Sequence, residues 1–156
     1  MKSNNVLLLG WNAKGMRGYL RDADVKLRPE KYRHVLLQMP NGTGKTTTMA
    51  LIRSALTGKM DSALSISALQ ADRTTKEGHF ELHLSIKGER ISCRRKLPCA
   101  NARHYFYTTT VKDGRKSGHL LSSIDPVLAE ALKRSIDLFV FDGELAKDML
   151  DDGPAA

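Results

Sequence analysis

The run Asn41-Gly42-Thr43-Gly44-Lys45-Thr46-Thr47 combines the residue types that bind phosphate. Glycines let backbone N–H groups turn inward around anionic oxygens, and a helix starting beside them adds the positive end of its dipole. Lys45 stands where an ammonium reaches β- and γ-phosphates, and Thr46 where a hydroxyl meets Mg²⁺. The chemistry this spacing points to is binding of a nucleoside triphosphate with its metal ion. One departure from the G-x-x-x-x-G-K-[ST] pattern is Met39, which occupies the place of the first glycine. A plain glycine-rich turn before a helix would account for the glycines but not for the Lys-Thr order.

A second group lies about 100 residues on, at Leu138-Phe139-Val140-Phe141-Asp142-Gly143-Glu144. Four apolar residues read as a buried strand, and a carboxylate at its end can hold Mg²⁺ through water, with Glu144 as general base. A core strand followed by a helix-capping Asp142 fits the same residues. Other constellations are weaker. His79, Glu81 and His83 share one strand face at a spacing that could hold a metal, yet that face is also the polar side of an amphipathic strand. Arg90, Arg94, Lys96 and Arg103 lie on or just beyond it and could track a phosphate backbone or simply be solvated. Tyr105, Phe106 and Tyr107 fit sheet packing better than base stacking. Cys93 and Cys99 have no C-x-x-C spacing, and no G-x-S-x-G occurs.

The elements that must position these groups follow from periodicity. Val6–Leu9 is a short apolar strand, followed by a loop through Gly10, Gly15 and Gly18; Asp22–Leu27 is a second strand. Val35–Met39 is a third, ended by Pro40-Asn41-Gly42. Met49, Ile52 and Leu56 recur at helical spacing from Lys45 onward, with Gly58 as the stop. Residues 61–78 read as loop with one helical turn. Phe80, Leu82, Leu84 and Ile86 then alternate with polar residues, Lys87-Gly88-Glu89 turns the chain, and Ile91, Cys93 and Leu97 alternate on the return. His104–Val111 is a further β-rich run, followed by a turn at Lys112-Asp113-Gly114-Arg115. Asp125 as N-cap and Pro126 at the first helical position open a helix to about Arg134, before the strand at Leu138–Phe141.

The chain has 156 residues, 41% hydrophobic and 27% charged, which suits one domain with a core and excludes a disordered tract. Apolar runs are far shorter than the roughly 18 residues a membrane span needs, and the first residues do not read as a signal peptide. With two cysteines and no disulfide framework, the expected compartment is the cytoplasm. The net charge of +8 is uneven: residues 1–60 carry 11 basic and 3 acidic side chains, residues 61–120 carry 11 and 6, and residues 121–156 carry 3 and 8. A basic body with an acidic tail points to a polyanionic partner.

Pro40-Asn41-Gly42-Thr43-Gly44-Lys45-Thr46 resembles the phosphate loop of the ABC-type ATPase heads of the SMC and DNA-break-repair group. The segment Asn12 to Tyr19, with Met16-Arg17-Gly18-Tyr19, resembles their first-strand stretch, and Phe80 to Leu97 their hairpin after the phosphate-loop helix. Leu138 to Glu144 is similar to the F-F-D-G-E segment of DndD-type ATPases of the DNA phosphorothioation systems. The resemblance implies an α/β P-loop NTPase, the N-terminal lobe of such a head, with a mixed sheet and an antiparallel β-meander. It implies ATP and Mg²⁺ as cofactors, DNA as a partner, and Asp142 where the Q-loop residue approaches Mg²⁺ and the γ-phosphate. Arg17 becomes a candidate phosphate or base contact. The chain carries no S-G-G-Q-like signature, so turnover is expected only with a C-terminal lobe or second head. A self-contained NTPase using Asp142 and Glu144, and a nucleotide-sensing DNA-binding module without turnover, are the alternatives.

Overall fold

The computed structural model describes residues 6–19, 21–29, 31, 38–40, 42–58, 69, 71, 75, 77–97, 106–111 and 114–139. Strand β1 spans Val6–Lys14 and β2 spans Ala23–Lys26; helix α1, Lys45–Thr57, separates them from β3 (Gly78–Ile86), β4 (Glu89–Leu97), β5 (Phe106–Val111) and β6 (Gly114–Ser117). Two helices close the described chain, α2 (Leu120–Ser123) and α3 (Pro126–Phe139). The strands form one six-stranded sheet in the order β2-β1-β3-β4-β5-β6, and every pairing is antiparallel. The protein is thus mixed α/β, with the expected meander from β3 to β6. A sheet of mixed direction is not formed by the described residues. Of the strand expected at Val35–Met39, only Gln38 and Met39 lie among them, and neither is in a strand.

The first strand is longer than its apolar run. It continues through Gly10 by a bulge: Leu8 pairs with Leu84 and Gly10 with His83, leaving Leu9 as the extra residue. Gly10 has φ 136, and a Cβ there would lie 1.9 Å from the Val25 carbonyl oxygen, so β2 can approach this close only because the residue is glycine. The bulge puts Trp11 and Ala13 in the core and Asn12 on the opposite face.

Helix α1 covers one face of the sheet. Leu51, Ile52, Ala55 and Leu56 are buried in one cluster with Phe80, Leu82, Leu84, Ile91 and Cys93. Each fully buried leucine of this kind stabilises the fold by about 1.5–3 kcal/mol. Gly58, left-handed at φ 74, ends the helix and its N–H bonds the Ser54 carbonyl, as the Gly stop leads one to expect. Arg95 is the exception within the core. It follows Ile91 and Cys93 in the inward phase, is fully buried, and its Nη1 donates to Ser54 Oγ on α1.

At the other end, Asp125 Oδ1 accepts from the N–H groups of Val127 and Leu128, so the expected cap opens α3. The strand expected from Leu138 is overturned where the structure describes it, because α3 runs through Leu138 and Phe139. Leu128, Leu132 and Ile136 recur every four residues against the core, and no Gly or Pro interrupts the chain between Pro126 and Phe139. Val140 and Phe141 lie outside the described residues.

Cys93 gives a direct check on this core. Burial pushes its thiol up to about 11 from an ordinary 9.0, while a contact from Thr109 acts the other way. In a Cys99→Ser background, Cys93 is expected to resist alkylation at pH 8 and to react only as the protein unfolds, read by mass spectrometry along a urea series. Because the unfolded thiol ionises first, its contribution to stability is full below pH 9 and is lost as pH rises through about 11. Cys93→Val should therefore show a shallower loss of stability across that window.

Candidate functional site

Residues Gly42–Thr47 run through a tight turn into the first turn of α1. Gly42 (φ 78) and Gly44 (φ 85) are both left-handed and flank Thr43, whose Oγ1 donates to the Pro40 carbonyl at 2.6 Å. Gly44 is the N-cap of α1 and has no side chain with which to cap the helix. The first intrahelical bond is Thr48 N–H to the Gly44 carbonyl, 2.8 Å. The amides of Lys45, Thr46 and Thr47 precede it and have no acceptor one turn back in the helix. Lys45 and Thr46 are exposed at this mouth, whereas Thr47 is buried. Lys45 Nζ donates to the carbonyls of Met39 and Pro40, 3.3 Å each, which holds the ammonium across the loop.

The second expected contributor, Arg17, is brought to the same place. Its backbone and that of Gly18 pack against Thr43 and Gly44: a Cβ on Gly18 would lie 2.7 Å from the Thr43 carbonyl oxygen, and one on Gly44 would lie 3.1 Å from that of Arg17. The Arg17 N–H bonds the carbonyl of buried Leu69 at 2.8 Å, which fixes the loop while the residue stays exposed. Two segments some 25 residues apart in sequence thus meet at the start of α1, and each carries an exposed cationic residue. Asn41, Asp142 and Glu144 lie outside the described residues.

A buried polar chain supports this junction, and sequence reasoning missed it. Trp11 Nε1 donates to Tyr19 Oη at 3.2 Å, Tyr19 Oη and Thr48 Oγ1 share a hydrogen bond of 2.6 Å, and Thr48 Oγ1 donates to the Gly44 carbonyl at 2.7 Å. Because Thr48 bonds Gly44, the Tyr19 hydroxyl is the donor to Thr48 and the acceptor for Trp11. Strand β1 is in this way tied to the helix start. The tyrosine ending Met16-Arg17-Gly18-Tyr19 was the available signal, but its partners are set by tertiary packing. Tyr19→Phe is expected to cost about 1–2 kcal/mol in urea denaturation, because Trp11 Nε1 loses its acceptor in the core.

The opposite face of the sheet holds the weaker constellations. His79, Glu81 and His83 do share that face, but each has its own protein partner. His79 Nε2 lies 2.7 Å from Asn12 Oδ1, Glu81 pairs with Arg94 at 3.7 Å, and His83 Nδ1 shares a 2.8 Å hydrogen bond with Ser92. Burial first, then the Arg94 guanidinium, hold His79 below its ordinary pKa and keep it neutral. Among the described residues no cluster of His, Cys, Asp or Glu could hold a metal ion. Arg90, Arg94 and Lys96 stand on this face opposite Ser85, Glu81 and His79, while Arg103 and Tyr105 lie outside the described residues. Phe106 and Tyr107 belong to β5, paired with Lys96 and Arg95. No described helix is long and apolar enough to cross a membrane.

No model of a known protein family matches the chain, and no curated protein matches its sequence.

Proposed function

We propose that this chain is the ATP- and Mg²⁺-binding N-terminal lobe of a DNA-associated, SMC-like ATPase of the DndD type, built on a P-loop NTPase fold. The observation that carries the reading is the left-handed turn that leads into α1. There, left-handed Gly42 and Gly44, the Lys45 ammonium and the Arg17–Gly18 backbone converge on one exposed mouth. Backbone amides from Gly42 to Thr47, with Asn41, would cradle the phosphates. Lys45 would leave the Met39 and Pro40 carbonyls for β- and γ-phosphate oxygens, Arg17 would add a second cation, and Thr46 would offer its hydroxyl to Mg²⁺. Asp142 would stand near the metal and the γ-phosphate, while Glu144 as general base belongs to the self-contained alternative. The basic body supports DNA as the polyanionic partner.

Hydrolysis in this reading needs a C-terminal lobe or second head, since most transition-state stabilisation comes from groups supplied across the interface. The full chain is expected to bind Mg·ATP and to release phosphate no faster than a protein-free control. Steady-state phosphate release that disappears in Lys45→Ala would instead mark a self-contained NTPase.

A further inference from the structure

A cavity of about 510 Å³ opens on the sheet face away from α1, between β2, the β1 bulge and the start of β4. Its apolar side chain is Leu9, the bulged residue; Leu27 and Ile91 also border it, with their side chains turned into the core on the α1 side. Its polar side is basic. Lys26 is paired with Asp24 at 2.9 Å, but Arg28 and Arg90 line the cavity with no ion pair among the described residues. His83 adds a ring whose Nδ1 is engaged by Ser92, leaving Nε2 as the atom that can address a ligand. Asp24 is the one carboxylate among the described lining residues and is already matched by Lys26, so the described lining carries more positive than negative charge beside the apolar Leu9.

We propose that this cavity binds a small phosphomonoester with an apolar or planar body, of the nucleoside monophosphate kind. Two guanidinium forks suit a dianionic phosphate, which accepts several charge-assisted hydrogen bonds at once, better than they suit a single carboxylate. Leu9 gives the organic body a surface to leave water against, and the volume falls in the range of about 300–1,000 Å³ typical of small-molecule sites. The cavity shares no residue with the Gly42–Thr47 loop, so the proposal stands or falls apart from the reading of that loop.

The test is calorimetric titration of the full chain with adenosine 5′-monophosphate, using wild type, Lys45→Ala and an Arg28→Ala/Arg90→Ala double variant. Adenosine and inorganic phosphate serve as partial ligands. Wild type and Lys45→Ala are expected to bind the monophosphate equally, and the double variant to lose roughly tenfold or more, with each partial ligand at least roughly tenfold weaker. Both arginines are exposed, so the double variant should keep its circular dichroism; should it not, the single Arg28→Gln and Arg90→Gln variants carry the same comparison. Absence of monophosphate binding to wild type overturns the proposal. So does undiminished binding by the arginine variants, loss of binding in Lys45→Ala, or adenosine binding as tightly as its phosphate.

Discussion

Lys45→Ala is expected to weaken Mg·ATP binding by about a hundredfold, corresponding to about 3 kcal/mol of lost charge-assisted contact with two phosphates. Its thermal midpoint should stay close to wild type. Lys45 is exposed, and its 3.3 Å bonds to the Met39 and Pro40 carbonyls are at the surface. Lys45→Arg should recover only part of the affinity, because a planar fork replaces a point charge in a loop whose reach is set by two carbonyls. Calorimetry with a non-hydrolysable ATP analogue, paired with a thermal melt, separates a binding defect from a folding one. Equal affinity in wild type and Lys45→Ala would contradict the role given to this residue.

Gly18→Ala is expected to be the most damaging single-methyl change at the site. Gly18 has φ 85, so a side chain there costs about 1–2 kcal/mol from backbone conformation alone. The added Cβ would also meet the Thr43 carbonyl oxygen at 2.7 Å and Gly44 Cα at 2.9 Å, which are backbone atoms and cannot rotate away. The phosphate loop must move for the methyl to fit. Affinity for Mg·ATP should fall at least about tenfold, and the urea midpoint should fall with it. A Gly42→Ala variant is the useful contrast. Gly42 is also left-handed at φ 78, but nothing lies within 4 Å of its would-be Cβ, so only the conformational cost applies. If the two variants lose affinity equally, the packing of Arg17–Gly18 on the loop has no bearing on binding.

These two residues also mark the limits of what the sequence discloses. Lys45 is legible because its context is local: the Gly-Thr-Gly turn, the helical spacing of Ile52 and Leu56, and the Gly58 stop all lie within one stretch. The β3–β4 hairpin and the Asp125 cap are legible for the same reason. Gly18 is different, since nothing in its own stretch says that it will lie against Thr43; only the resemblance of Met16-Arg17-Gly18-Tyr19 pointed there. Gly10 is read as loop from sequence because a glycine after four apolar residues signals a break, yet the approach of Val25 turns it into a bulge within a longer strand. A short apolar run is ambiguous between buried strand and buried helix, and Leu138-Phe139 resolves to helix because Leu128, Leu132 and Ile136 had already set the phase. Arg95 is missed because charge outweighs position in a composition-led reading, although it follows Ile91 and Cys93 at period two.

The central claim is that the mouth at the start of α1 binds the phosphates of ATP, and a ¹H–¹⁵N amide titration of the full chain with Mg·ATP tests it where it is made. The expected result is saturable movement of the Gly42, Thr43, Gly44, Lys45, Thr46 and Thr47 amides, joined by Arg17 and Gly18. The indole N–H of Trp11, the only tryptophan, should shift with them through its bond to Tyr19. Amides of this loop that stay unmoved up to millimolar Mg·ATP, or shifts confined to the opposite face of the sheet, would contradict it.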